Sequence, residues 1–164
     1  MVKDTGLSRQ KHEFKSRWDY FEKPMARYTI KETFLERLQN GEDLYRSIRD
    51  TFQRRGTTMG IFFAIGAVRK AIVAFYDQGK KTYENMRFDE SAEILSCTGN
   101  ISITEGDISV HGHIVLGFKD GTTKGGHLLE GTTIFACELF GIILEGEPLE
   151  RIYDEITGLK LWSP

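Results

Sequence analysis

The chain is poor in the features that usually announce a function. It has two cysteines, Cys97 and Cys137, each isolated in an apolar run and neither in a Cys-x-x-Cys pair. A disulfide is therefore not expected, and the expected state is two reduced thiols packed as small hydrophobes. There is no basic surplus, since 22 Lys and Arg face 24 Asp and Glu for a formal net charge of -2. Bulk electrostatics thus argues against nucleic acid, whose binders carry a positive surplus or stripe. No apolar run reaches about eighteen residues, and Met1 to Met25 is charged throughout, so the reading contains neither a membrane span nor a secretory leader. A cytoplasmic location is expected. No Gly-x-Ser-x-Gly, nucleotide-loop spacing or internal repeat occurs.

What is present is a chain of 164 residues, 40% hydrophobic, enough for one ordinary core and too short for two. Residues 1–26 read as a polar extension with Phe14, Trp18, Tyr20 and Phe21 set among mixed charges. Its basic residues could serve a nucleic-acid arm, but interleaved Asp4, Glu13, Asp19 and Glu22 favour a solvated segment whose aromatics dock on the domain or on a neighbouring subunit. His12 lies here, apart from the other histidines, and reads as a surface residue. Residues 27–164 form the domain. Within it Asp43 can cap a helix through Leu44, Ile48 and Phe52, an i, i+4, i+8 stripe ended by Arg54-Arg55-Gly56. Met59–Ile65 and Ala71–Tyr76 read as two buried strands separated at Gly66, with a turn at Asp77–Lys80. Shorter strands Lys81–Phe88, Glu93–Cys97 and Ile101–Thr104 follow, and Thr132–Leu144 is another long one before a short C-terminal segment from Glu147. Hairpin turns at this spacing describe an antiparallel meander rather than βαβ units.

The chemistry concentrates between Val110 and Gly131, which hold three of the four histidines. His111 and His113 are spaced i, i+2, so on a strand both imidazoles leave from one face. Phe118-Lys119-Asp120-Gly121-Thr122 reads as a hairpin turn, and its type decides what His127 does. A type I turn with a bulge pairs Phe118 with Thr122 and brings His127 opposite His113. A plain two-residue Asp120-Gly121 loop pairs Ile114 with His127 and sends His127 to the other face. In the first register three imidazoles converge as candidate ligands for zinc or another first-row divalent metal; the alternative is three ordinary strand histidines hydrogen-bonded to backbone or water. Gly112, Gly125 and Gly126 beside them allow close backbone approach. Glu138, between Ala136 and Phe140 on an apolar strand, is the candidate catalytic carboxylate: burial would raise its pKa and let it orient a histidine or accept a proton. The competing role is a sheet-edge or interface salt bridge; Glu93 and Glu130 raise the same question with less support.

These residues also carry a family resemblance. His-x-His, an acidic-Gly turn and Gly-Gly-His-Leu-Leu-Glu-Gly resemble the motif of the PPC domain, the plant and prokaryote conserved domain. So do Asn40-Gly41-Glu42-Asp43-Leu44, Ile65-Gly66-Ala67-Val68, Glu93–Ile101 with its Glu-x-Leu-Ser-x-x-Gly-Asn-Ile pattern, and Ala136-Cys137-Glu138. The resemblance spans residues 28–162. It implies an α+β fold, a curved antiparallel sheet with flanking helices, assembled as a homotrimer, with a His-lined metal site in some prokaryotic members. It also places a strand at Arg27–Leu38, where propensity alone favours a helix. The DNA-binding element of the plant members, the AT-hook, is absent: Arg54-Arg55-Gly56 lacks the second flanking arginine and any proline. The sequence therefore leads to a zinc-binding homo-oligomer through His111, His113 and His127. DNA binding by the assembled oligomer is one alternative, and a zinc-dependent hydrolase or lyase assisted by Glu138 is another.

Overall fold

The computed structural model describes residues 27–162, so the expectations placed on residues 1–26, His12 among them, lie outside the described residues. β1 (Thr29–Leu38) is a strand, as the resemblance implies against local propensity. It pairs antiparallel along β7 (Thr133–Glu145), and this non-local ladder outweighs the helical preference of Lys31–Leu38. The one helix among the described residues, α1 (Leu44–Arg54), starts where Asp43 accepts a hydrogen bond from the Arg46 backbone N–H at 2.9 Å. Leu44, Ile48 and Phe52 are fully buried along its inner face, and Phe52 meets Phe34 edge to face at 5.2 Å. With a single helix the architecture is mostly β, and the plural flanking helices of the α+β expectation are corrected to one; the rest of the chain's apolar pattern is spent on strands.

The two strands expected on either side of Gly66 are one strand of 18 residues, β2 (Gly60–Asp77). Gly66 does not end it but bends it. The register against β4 (Ala92–Thr104) and β7 shifts around this position, and Gly66 has φ +146°. A Cβ there would collide with the Ala136 carbonyl and the Cys137 backbone, so only glycine lets the bulge form this close to β7. Likewise Glu93–Cys97 and Ile101–Thr104 are halves of β4, which runs through Thr98-Gly99-Asn100 without a turn.

The bend makes β2 the spine of the fold. One of its edges takes β4 and then β3 (Thr82–Phe88), while the other takes β7 and then β6 (Thr123–Leu128). β5 (Asp107–Gly117) pairs with both β4 and β6 and so closes a circuit of strands β2–β4–β5–β6 back onto β2. Inside lie Phe62, Val68, Ile101, Ile114, Leu116 and Leu128, all buried to within about 1% exposure. Outside, a C-terminal hairpin of β8 (Glu150–Asp154) and β9 (Leu159–Trp162) attaches through a short parallel bridge to the end of β4. Among the described residues that bridge is the one parallel pairing in an otherwise antiparallel sheet. Cys97 and Cys137 are free and buried, and burial pushes both thiols up to about 12.

Candidate metal centre

The turn that decides the register is the bulged one. Phe118 N–H donates to the Thr122 carbonyl at 2.9 Å and Gly121 N–H to the Phe118 carbonyl at 2.9 Å, with Gly121 at φ +81°. Asp120 caps the turn by accepting from the Thr122 N–H at 2.9 Å. The consequence is the pairing His113–His127 across β5 and β6. On β5 the even positions from Ile108 to Leu116 turn inward, which leaves His111 and His113 on the outer face. Gly126 lets β6 press against the Ala74 carbonyl of β2, which seats His127 beside the same face.

The three imidazoles meet. Their centroids are separated by 5.4 Å (His111–His113), 5.0 Å (His111–His127) and 5.4 Å (His113–His127). One nitrogen from each ring lies within 4.8 Å of the others. Nitrogens held tetrahedrally at about 2.0–2.1 Å from one ion stand about 3.4 Å apart, so modest ring movements would bring these three onto a common ion. The donor set, three neutral imidazoles without a carboxylate, suits zinc or a neighbouring first-row metal and not magnesium or calcium. Both half-buried rings resist protonation. Burial is the first cause for His111 and His127, reinforced by Arg151 and by the neighbouring imidazoles, and it lowers each pKa from 6.5 to about 4. Near neutral pH these two rings thus offer free lone pairs.

Arg151, which no sequence pattern marked, completes the surroundings. Its Nε donates to Ser102 Oγ at 2.9 Å, Nη1 to the Lys160 carbonyl at 3.0 Å and Nη2 to Asn100 Oδ1 at 2.9 Å. Nη2 also lies 3.1 Å from His111 Nδ1. A guanidinium only donates, so this Nδ1 is the acceptor and the ring proton sits on Nε2. Tyr83 covers the other flank, its ring 5.2 Å from that of His127. Asn100 was legible as part of the Glu93–Ile101 motif. Arg151 and Tyr83 were not, because they reach the site from strands with no periodic relation to β5.

The other sequence candidates lie elsewhere. Leu35, Phe140, Phe63, Thr98, His113 and His127 are successive cross-strand partners from β1 to β6, so they share the outer face of the sheet. Glu138 is on that face, two residues from Phe140, and is exposed, so the burial expected of it is not observed. Phe140 and His113 are three strand spacings apart along the row, at about 4.8 Å each, which keeps Glu138 of this chain out of reach of the imidazoles. Glu130 is paired with Arg46 at 2.6 Å and Glu93 is exposed. Arg54 and Arg55 are paired with Glu36, and the Arg55 guanidinium lies 3.8 Å from the centre of the Phe34 ring; they belong to the helix end and form no extended arm.

The chain is similar to several solved structures. A metal-containing protein from Archaeoglobus fulgidus is 42% identical, with a TM-score of 0.81 and a match covering 87% of this chain and 100% of that one. A plant- and prokaryote-conserved (PPC) protein from Pyrococcus horikoshii is 32% identical, with a TM-score of 0.80 over 84% of this chain and 95% of that one. A provisionally named DNA-binding protein from Bacteroides thetaiotaomicron is 26% identical, with a TM-score of 0.74 over 85% and 98%. No curated protein matches. No helix among the described residues is long and apolar enough to cross a membrane. The profile of the Plants and Prokaryotes Conserved (PCC) domain matches residues 25–144, and with the fold and the histidine motif in agreement the chain belongs to that family.

Proposed function

We propose that the protein is a homo-oligomer, a trimer by resemblance, that binds one divalent first-row metal ion per chain, zinc by preference, through His111, His113 and His127. The observation that carries this reading is the meeting of three ring nitrogens within 4.8 Å on one face of a hairpin. The metal-containing A. fulgidus relative supports it. When bound, the ion would supply Lewis acidity at the mouth of the site. This chain's residues would hold it, keep two imidazoles unprotonated and place Arg151 and Tyr83 around it. The test is elemental analysis of protein purified without added metal or chelator, with about one zinc per chain expected.

Oligomerisation is supported by the outer face. Leu35 is 80% exposed and Ile65 56%, and with Phe63 and Phe140 they line a shallow apolar groove next to Glu138. A sheet face left this apolar needs cover. On that arrangement Glu138 serves at a subunit boundary, where a salt bridge or an approach to a neighbour's site is open to it. A zinc-dependent hydrolase or lyase is the reading to adopt if activity appears and a chelator abolishes it. The name of the B. thetaiotaomicron relative raises DNA as a partner; the net charge of -2 and the ion pairing of Arg54 and Arg55 oppose it.

A further inference from the structure

We infer that the cavity beside the histidines binds a small organic carboxylate with an apolar body, its charged end taken by Arg151; this rests on the metal reading above. The cavity has a volume of about 750 Å³, and His111, His127 and Arg151 share it with Tyr45, Tyr83, Leu128 and Tyr153. That size and mixture suit a small ligand held mainly by apolar contact and oriented by a few polar groups.

The charge balance calls for an anion. Among the described residues Arg151 has no carboxylate within ion-pair distance, and its four partners are all neutral. The other charged side chains lining the cavity are already matched: Lys160 with Glu105 at 2.7 Å and Glu130 with Arg46 at 2.6 Å. A divalent ion on three neutral imidazoles would add two positive charges beside a half-buried guanidinium, with no acidic ligand from this cluster to offset them. Clustered, partly desolvated positive charge is costly unless an opposite charge enters.

Donor arithmetic favours a carboxylate. A guanidinium has five N–H groups, and four of those of Arg151 are engaged. The bond to His111 Nδ1 cannot coexist with His111 as a metal ligand. Through Nδ1, the metal takes the lone pair that Arg151 uses; through Nε2, the ring proton moves to Nδ1, which then no longer accepts. Metal loading therefore releases one Nη2 N–H, and with the free Nη1 N–H the guanidinium then has two donors to offer a carboxylate. The tyrosine and leucine walls around this positive charge give an organic carboxylate contacts for its apolar body, which inorganic phosphate lacks.

The test is calorimetric titration of the full zinc-loaded protein, its zinc content measured, with benzoate and separately with inorganic phosphate. Benzoate should bind, and phosphate at least tenfold more weakly. Arg151→Met should weaken benzoate at least tenfold at unchanged zinc content, and Arg151→Lys should recover only part of the loss. Because Arg151 also ties the C-terminal hairpin to β4, Ser102→Ala is the control: it removes one tie, keeps the guanidinium and should retain benzoate. Zinc-free protein should bind benzoate more weakly than the loaded form. Absence of benzoate binding with zinc present, indifference to Arg151→Met, a preference for phosphate, or equal binding without zinc would each overturn the inference and leave the metal reading standing. Failure to retain zinc at all would overturn both.

Discussion

His113 of β5 stands directly opposite His127 of β6, and this pairing exists because five residues, Phe118–Thr122, form a bulged turn instead of a two-residue loop. A shift of one residue would turn His127 to the inner face and leave two imidazoles outside. On the proposed reading, metal affinity is tied to turn geometry. Deleting Lys119 to shorten the loop should abolish metal retention while much of the sheet persists, read by elemental analysis beside circular dichroism. His127→Gln should weaken zinc by roughly 10²-fold or more, since even the outer partners of a ligand matter by about 10–100-fold. Wild-type zinc content in either variant would refute the triad.

The histidines also set a pH dependence. His111 and His127 titrate near 6.5 when unfolded and at about 4 when folded, so between those values the unfolded chain binds more protons. Stability of metal-free protein should therefore be fully present above about pH 6.5 and fall progressively toward pH 4. Urea midpoints across that range should decline, and the double variant His111→Gln/His127→Gln should flatten the decline. An equally steep decline in the double variant would assign the effect to other groups.

Packing under α1 should be the costliest place to cut. Phe52 is fully buried against Phe34, and Phe52→Ala should cost about 3–5 kcal/mol in urea unfolding. Gly66→Ala, which forces a Cβ into the β7 backbone at a positive φ, should cost about 1–3 kcal/mol. A loss below half a kilocalorie per mole, roughly the range of surface substitutions, would mean that β2 can bend without glycine.

The outer apolar face predicts assembly. Light scattering after size exclusion at low micromolar protein should give a mass above the 18.8 kDa of one chain, three chains by resemblance. Leu35→Asp, on an 80%-exposed position, should lower that mass with little effect on the circular dichroism spectrum. A monomer mass for the wild type would remove the assembly proposal.

Duplex DNA should bind weakly and be lost steeply as salt rises, because a chain of net charge -2 neutralises few phosphates. Fluorescence anisotropy at physiological ionic strength measures this. Sub-micromolar, sequence-selective binding would show that a local patch overrides the net charge.

Which features could be read in advance follows the range of the forces behind them. The helix was legible because a cap at Asp43 and a stripe at Leu44, Ile48 and Phe52 act within one turn or a few. The histidine pair was legible as one of two registers, since turn chemistry spans five residues and alternation carries it along both strands. The bend in β2 was not, because a glycine between two apolar runs looks the same whether the chain stops there or bulges.

By itself, the sequence determined the imidazole side chains on offer, the shared face of His111 and His113, the apolar strands and the charge balance, all properties of neighbouring residues. Only the tertiary structure decided that the strands close around β2, that Glu138 is exposed and apart from the imidazoles, and that Arg151 meets His111 across 40 positions of chain. Those outcomes depend on which strands pair. That choice is settled by burying the inward-facing apolar side chains together, around a bulge at Gly66 and a two-residue parallel bridge from β4 to β8; such contacts leave no period or spacing in the chain that forms them.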